Sequence, residues 1–373
     1  IILSFEDRMM PTTFSSHVTA WRQTRGWSQA ELARASGVSR AAISAIETSR
    51  LVPSTAAALR LARALEVPVE TLFELGPSAA TPAWAWPSTR DTTRVWQASV
   101  GKRRLLYPVE PTAAGTLPHD AVVNAGAAGE EAIAATPGAG DPDRTLVLAG
   151  CDPTVGLLVQ MVAARTGIRV LPLLRSSREA LDLLKRGLVH AAGFHLRDEG
   201  ASAARQATGH DRLVRQAVGV GAQIIHVATW DAGVAVNPAQ RARSVATLLR
   251  GGARWVNREE GSGARECLDH LIDTKRRPIG YDHVVRDHRA VAATVSSGWA
   301  DAGICLRPVA EDAGLDFLPI RQEAYEICVA PASADDPRIV ALLDAVRSVA
   351  YRRLLGDVPG YETTETGALR EVA

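Results

Sequence analysis

The chain is short of cysteine and aromatics, has almost no net charge, and contains no long apolar run. Each shortage excludes something. The four cysteines, Cys151, Cys267, Cys305 and Cys328, stand far apart with no CxxC pair. That argues against a disulfide framework and fits reduced thiols in a cytoplasmic protein. Aromatic residues are only 5% of the chain, so its cores are expected to be aliphatic. The formal net charge is +1, so any nucleic-acid affinity must come from a local basic face. No stretch approaches the roughly 18–20 apolar residues of a membrane span, and no membrane partner is expected. The opening IILSFEDRMM soon turns acidic and is expected to be a tail, not a signal peptide.

What is present is a globular composition, 46% hydrophobic and 22% charged over 373 residues, a length that suits two or three domains. Residues 15–75 show short helical periods. Residues 76–144 are rich in Pro, Ala, Ser and Gly and are expected to be a linker. Within them, TRVWQASVGKRRLLYPV alternates as a β-hairpin turning at Gly101–Lys102. From 145 to 356 short apolar strands alternate with helical periods, the α/β signature, and 357–373 are expected to be a tail. The fold class is therefore multi-domain, α followed by α/β.

In the first region Ser28 with Glu31 forms a capping-box pattern. Gly37 suits a left-handed helix end. Ser39 and Ser54 open further helices, with Ile43 and Ile46 inward on one and Leu59, Leu61, Ala62 and Leu65 inward on the other. A short fifth helix ends at Leu72–Phe73. Two short helices around a glycine turn make a helix-turn-helix. The run SQAELARASGVSRAAISAIE resembles the Cro/lambda-repressor-like (XRE) family of five-helix DNA-binding domains. That resemblance implies a recognition helix over Ser39–Glu47, with Ser39, Arg40, Ala41 and Ser44 at its reading end. Gln29 would contact phosphate or brace a reader, and Arg22, Arg25, Arg34 and Arg50 would contact the backbone. Alanines at 41 and 42 leave room for thymine-methyl contacts and DNA shape in place of polar readout. The family further implies a homodimer, or a higher homo-oligomer, on a palindromic operator.

In the α/β region, TLVLAGCDPTVGLLV reads as strand, turn and helix, with Asp152 as N-cap and Pro153 at N1. IRVLPLLRSSREALDLL repeats the pattern, HAAGFHL ends a third strand at His195, and ARWVNREEGSGARECLDHLI gives a strand, a Gly-Ser-Gly turn and a helix. Such turns lie at the carboxyl ends of parallel strands, where helix N-termini favour anions. LAGCDPTVGLL, AAGFHL, WVNREEGSGAR, HRAVAATVSSGWADAGI and GLDFLPI occur in one order. They are similar to a periplasmic-binding-protein-like domain related to molybdate-binding and LysR-effector domains. The resemblance implies a two-lobed, type II binding fold. Cys151, Asp152, Thr154, Ser176, Ser177 and His195 would line the cleft from one lobe, and Ser262, Gly263 and Arg265 from the other. Asp301 would lie near the hinge, with Trp230 and His288 on the crossover side.

Other readings stay open for single residues. Asp152 can be only a cap, Arg265 can pair with Asp269 on its own helix, and His195 can be a strand-end histidine. Cys267, Cys305 and Cys328 suit core positions, whereas Cys151 at a helix start suits a reactive thiol. The Gly-Ser-Gly turn lacks the lysine of a phosphate loop. The expected function is a cytoplasmic, non-enzymatic transcription regulator without cofactor, binding operator DNA and sensing an oxyanion or small organic acid. The alternative is a metal- or thiol-redox-responsive regulator using Cys151, His195 and His288. A further alternative makes the cleft a remnant, its Gly-Ser-Gly turn filled by the protein's own side chains.

Overall fold

The computed structural model describes residues 12–48, 50–77, 82–88, 90–112, 114–125, 131–195, 203–272 and 277–373; the opening IILSFEDRMM lies outside them. The chain divides into two compact units, residues 1–82 and 83–373. Among the described residues no helix is long and apolar enough to cross a membrane.

In the first unit, strand β1 (Thr12–Ser16) leads into α1 (Val18–Thr24), α2 (Gln29–Ser36), α3 (Arg40–Glu47), α4 (Thr55–Leu65) and α5 (Val69–Leu72). Strand β2 (Phe73–Pro77) then returns antiparallel to β1. Helix ends follow local chemistry. The Ser28 hydroxyl accepts from the Glu31 N–H, while the Glu31 carboxylate accepts from the Ser28 N–H at 2.6 Å. Gly37 closes α2 at φ 67°, and the Ser39 and Ser54 hydroxyls cap α3 and α4. Val18, Leu32, Ile43, Ile46, Leu61 and Leu65 fill the core. Two expectations change. Leu59 is 46% exposed, because α4 turns Ala58, Leu61, Ala62 and Leu65 inward instead. The region is also not purely helical, since the β1–β2 pair closes it through contacts between its two ends.

The second unit opens with a five-stranded sheet of β3 (Ala83–Trp84), β4 (Thr92–Val100), β5 (Arg103–Pro108), β6 (Ala121–Ala125) and β7 (Glu131–Ala135), in the order β3-β5-β4-β6-β7. The β4–β5 hairpin turns at Gly101, where φ is 59°. A stretch read as a linker thus carries a sheet of its own.

The large sheet follows: β8 (Thr145–Gly150), α6 (Val155–Thr166), β9 (Arg169–Leu174), α7 (Ser177–Lys185), β10 (Ala191–Phe194), α8 (Ala203–Ala217) and β11 (Gln223–Val236). Then come α9 (Val245–Arg250), β12 (Trp255–Arg258), α10 (Gly263–Leu271), β13 (Val284–Val285), α11 (His288–Ser296), β14 (Ala302–Leu306), α12 (Arg307–Asp312) and β15 (Asp316–Val329). It ends with α13 (Pro337–Arg347), α14 (Val349–Gly356), β16 (Tyr361–Glu362) and β17 (Leu369–Glu371). Residues 357–373, expected as a tail, return to the sheet, where β16 and β17 pair with β11.

The strand order is β13-β12-β14-β11-β15-β10-β8-β9. Strands β8, β9 and β10 form one parallel half, and β12, β13 and β14 form the other. The antiparallel pair β11 and β15, 14 residues each, joins the halves. Each half is packed on both faces, which is why β10, β12 and β14 are buried throughout. The small sheet belongs to the first of these halves. Trp96, Leu105 and Tyr107 share a core with Leu171, Leu173 and Leu181, and Arg169 grips Asp120 at 2.6 and 2.7 Å.

Candidate functional site

The turns after β8, β10 and β12 meet where the two halves of the large sheet face each other, and His195 stands at the centre. Its backbone N–H donates to Ser177 Oγ at 3.1 Å, tying the end of β10 to the start of α7. Its Nδ1 lies 2.7 Å from Glu323 Oε2, and both side chains are buried. Glu323, on β15, also accepts from Arg321 Nε at 2.6 Å and from Trp230 Nε1 at 3.5 Å. Trp230 stacks on Tyr325 and meets the His195 ring edge-on. From the opposite half, Gly263 at the start of α10 presses on this ring: a Cβ there would sit 2.7 Å from His195 Cε1. The Gly-Ser-Gly turn, expected as an anion cradle, has the His195 ring packed against its last glycine. The Ser262 hydroxyl accepts from the Arg265 N–H at 3.2 Å and donates to the Glu259 carbonyl at 2.8 Å.

The charges follow from these contacts. Burial opposes a charge on His195, but the Cys151 sulfur, hydrogen-bonded to its ring, and Glu323 outweigh it and raise the ring to about 10. Burial likewise opposes ionised Glu323, yet His195 and then Arg321 hold it down at about 2. The pair is a charged imidazolium and carboxylate inside the protein. Asp152 is shifted the other way: burial raises it, against hydrogen bonds from the Thr154 N–H and hydroxyl and from Tyr361 OH at 2.8 Å. Helix α6 starts at Val155, not at Pro153. Asp152 thus caps its own turn and anchors the returning C-terminal segment.

Beside Cys151 lies a cavity of about 90 Å³, lined by Cys151, Pro153 and Leu174 from one half, Asp287, His288 and Arg289 from the other, and Pro111 and Thr112. His288 is 4% exposed, and neither ring nitrogen has a hydrogen-bond partner. Burial, reinforced by the Arg258 and His195 charges, pushes it well below the ordinary histidine value, so the ring is neutral. A neutral imidazole offers one donor and one acceptor. Arg289 bridges to the far side, donating to the Pro153 carbonyl at 3.2 Å.

Of the residues singled out in sequence, Cys151, His195, Trp230 and Gly263 converge, with Ser177, Asp152 and Thr154 alongside and His288 on the cavity wall. The others do not join them. Ser176 caps α7. Arg265 pairs with Asp269 at 3.1 Å and donates to Tyr281 OH at 2.6 Å. Asp301 is held by Arg254, through its guanidinium at 2.9 Å and its N–H at 2.8 Å. Sequence reading missed Glu323, Arg321, Tyr361 and Asp287. One signal was available: glutamates in the apolar strand EAYEICV need partners when buried. Among the described residues no group of three His, Cys, Asp or Glu side chains is disposed to hold a metal ion.

In the helical unit, Arg40 and Ala41 are exposed at the start of α3 and Ser44 is half-buried one turn on. Arg34 and Arg50 are also exposed. Arg22 is taken up by Glu47 at 2.6 Å and by the Trp27 carbonyl at 2.7 Å, and Gln29 Nε2 donates to the same Glu47 at 2.8 Å. Arg25 pairs with Glu66 at 3.0 Å.

Known proteins match both units. A helix-turn-helix family model matches residues 18–72, and the PBP superfamily domain model matches residues 159–347, just over half the chain. The uncharacterized protein YvgK of Bacillus subtilis (strain 168) is 38% identical over 124 residues, covering 32% of this chain and 40% of its own length. The HTH-type transcriptional regulator SutR of Escherichia coli (strain K12) is 44% identical over 62 residues, 17% of this chain and 34% of its own. The chain thus spans less than half the length of either relative. The solved tungstate ABC transporter of Geobacter sulfurreducens superposes with a TM-score of 0.43 at 18% identity, over 57% of this chain and 98% of that one. The chain belongs to the PBP superfamily domain family over residues 159–347, and it carries an XRE-type helix-turn-helix ahead of that domain.

Proposed function

We propose that the chain is a ligand-responsive transcription regulator, whose helical unit binds operator DNA and whose sheet unit senses a small anion. The observation that carries the sensing half is His288. A buried ring with two unpartnered nitrogens costs on the order of 1–3 kcal/mol, and a ligand in the adjoining cavity would supply the missing partner. Residues from both halves of the large sheet line that cavity, so an occupant would hold the halves together. The start of α11, with Arg289 beside it, favours negative charge. A cavity of about 90 Å³ suits an oxyanion or a small carboxylate.

On the DNA side, α3 is the reading helix, with Arg40, Ala41 and Ser44 toward the bases and Arg34 and Arg50 toward phosphates. Arg22 and Gln29 brace α3 through Glu47. A dimer on a palindromic site follows from the helix-turn-helix. Anion binding would change operator affinity by a coupling of about 1–3 kcal/mol.

The test is a thermal-shift screen of the full chain with molybdate, tungstate, phosphate and small carboxylates. The reading expects one of them to raise the melting temperature of wild type and not of His288→Ala. A ligand present at about 100 times its Kd would add about 2.7 kcal/mol. Identical shifts in the two proteins would overturn the site. Arg40→Ala should weaken operator binding and leave the anion shift unchanged.

A further inference from the structure

We propose that the Cys151 thiol, set beside a His195 ring that Glu323 orients, is a nucleophile that a small hydroperoxide modifies. The geometry has four parts. Cys151 neighbours the His195 ring and acts on its charge. Glu323 occupies His195 Nδ1 at 2.7 Å, which leaves Nε2 to serve the sulfur. Trp230 and Gly263 pack against the ring, and Ser177 holds the His195 backbone N–H. The sulfur lines the 90 Å³ cavity, which His288 also lines with both ring nitrogens unpartnered. Cysteine, histidine and a third group that orients the histidine are what an activated thiol needs.

The other three cysteines sit in hydrophobic cores. Cys267 and Cys305 lie in the two cores of the second half of the large sheet and Cys328 in a core of the first. Burial pushes Cys305 and Cys328 up to about 12. The cavity of about 90 Å³ has room for a molecule the size of hydrogen peroxide.

In the step, the Cys151 sulfur attacks one peroxide oxygen. An S–O bond forms as the O–O bond breaks. Sulfur is oxidised by two electrons and the peroxide reduced by two. The departing hydroxide takes a proton from the His195 ring, which recovers one from the Cys151 thiol, and leaves as water. The products are a Cys151 sulfenic acid and water, so an oxygen is added to the sulfur where the two halves of the sheet meet. This proposal concerns the same cavity as the anion reading but does not depend on it, since modification is read with neither effector nor DNA.

The test treats the reduced full chain with hydrogen peroxide in the presence of dimedone and locates the adduct by peptide mass spectrometry. The expected result is an adduct on Cys151 ahead of the other three cysteines and none in Cys151→Ser. His195→Gln, which removes the ring that moves the proton beside the sulfur, should slow labelling at pH 7 on the order of a hundredfold. Glu323→Gln, which keeps the ring but removes its charged partner, should slow it by a smaller factor and covers the case in which His195→Gln does not fold. Labelling no faster at Cys151 than at Cys328, or unchanged in the folded variants, would overturn the proposal.

Discussion

The two units handle their polar groups in opposite ways. In the helical unit they stand at helix ends and on the surface: Ser28, Ser39 and Ser54 cap, and Arg34, Arg40 and Arg50 face solvent. In the sheet unit they are driven into the interior, where His195, Glu323, Asp152 and His288 are all buried. A capped helix with an exposed basic face is suited to a fixed surface that reads another molecule. The free energy of a buried set of polar groups depends on the partner each one has, so it is suited to respond when a partner is added or lost. That contrast is what the division of labour between DNA reading and sensing would require.

The largest test of the contrast is Glu323→Ala. It leaves a buried imidazolium without its carboxylate, at a cost of about 3–5 kcal/mol. Peptide-resolved hydrogen exchange should place the loss in residues 83–373 and leave the helical unit unchanged. The same pair sets an acid dependence. Glu323 titrates near 2 in the fold, below its ordinary 4.5, so its contribution is complete above about 4.5. It fades as the pH falls toward 2. Wild type should therefore lose its stability advantage over Glu323→Gln across that window, as thermal melts at stepped pH would show.

Gly263→Ala comes next. Its methyl meets the His195 ring, and overpacking of this kind costs about 1–3 kcal/mol, read by urea denaturation of the sheet unit. Ser28→Ala removes one arm of the capping box, at about 1 kcal/mol. Its effect on exchange should stay within residues 12–77; a matching loss in the sheet unit would break the separation. The smallest effect belongs to Arg178→Ala. This exposed arginine pairs with Glu266 across the two halves at 2.8 Å, and such pairs contribute at most about 1 kcal/mol.

Legibility in the sequence follows the same division. The helical unit is readable because its signals are local: Ser28 and Glu31 are three residues apart, and Gly37 ends its own helix. The β1–β2 closure was not readable, since it joins the two ends of the unit. In the sheet unit, the strand–turn–helix pattern located the turns that carry Cys151, His195 and Gly263. The partners that define the site lie far off in sequence. Glu323 is 128 residues from His195 and Tyr361 is 209 from Asp152, and no spacing rule spans such distances. The Gly-Ser-Gly turn shows the limit most clearly. A glycine at a helix start reads the same whether it opens a cradle for an anion or makes room for a neighbouring side chain, and here the His195 ring lies where a Gly263 side chain would be.

The most direct test of the account is the operator affinity of the full chain, measured by fluorescence anisotropy on a site selected from random DNA. It would be taken with and without the anion that gives the largest thermal shift. A change of about 5- to 150-fold is expected in wild type and none in His288→Ala. One affinity for wild type, whatever anion is present, would contradict it.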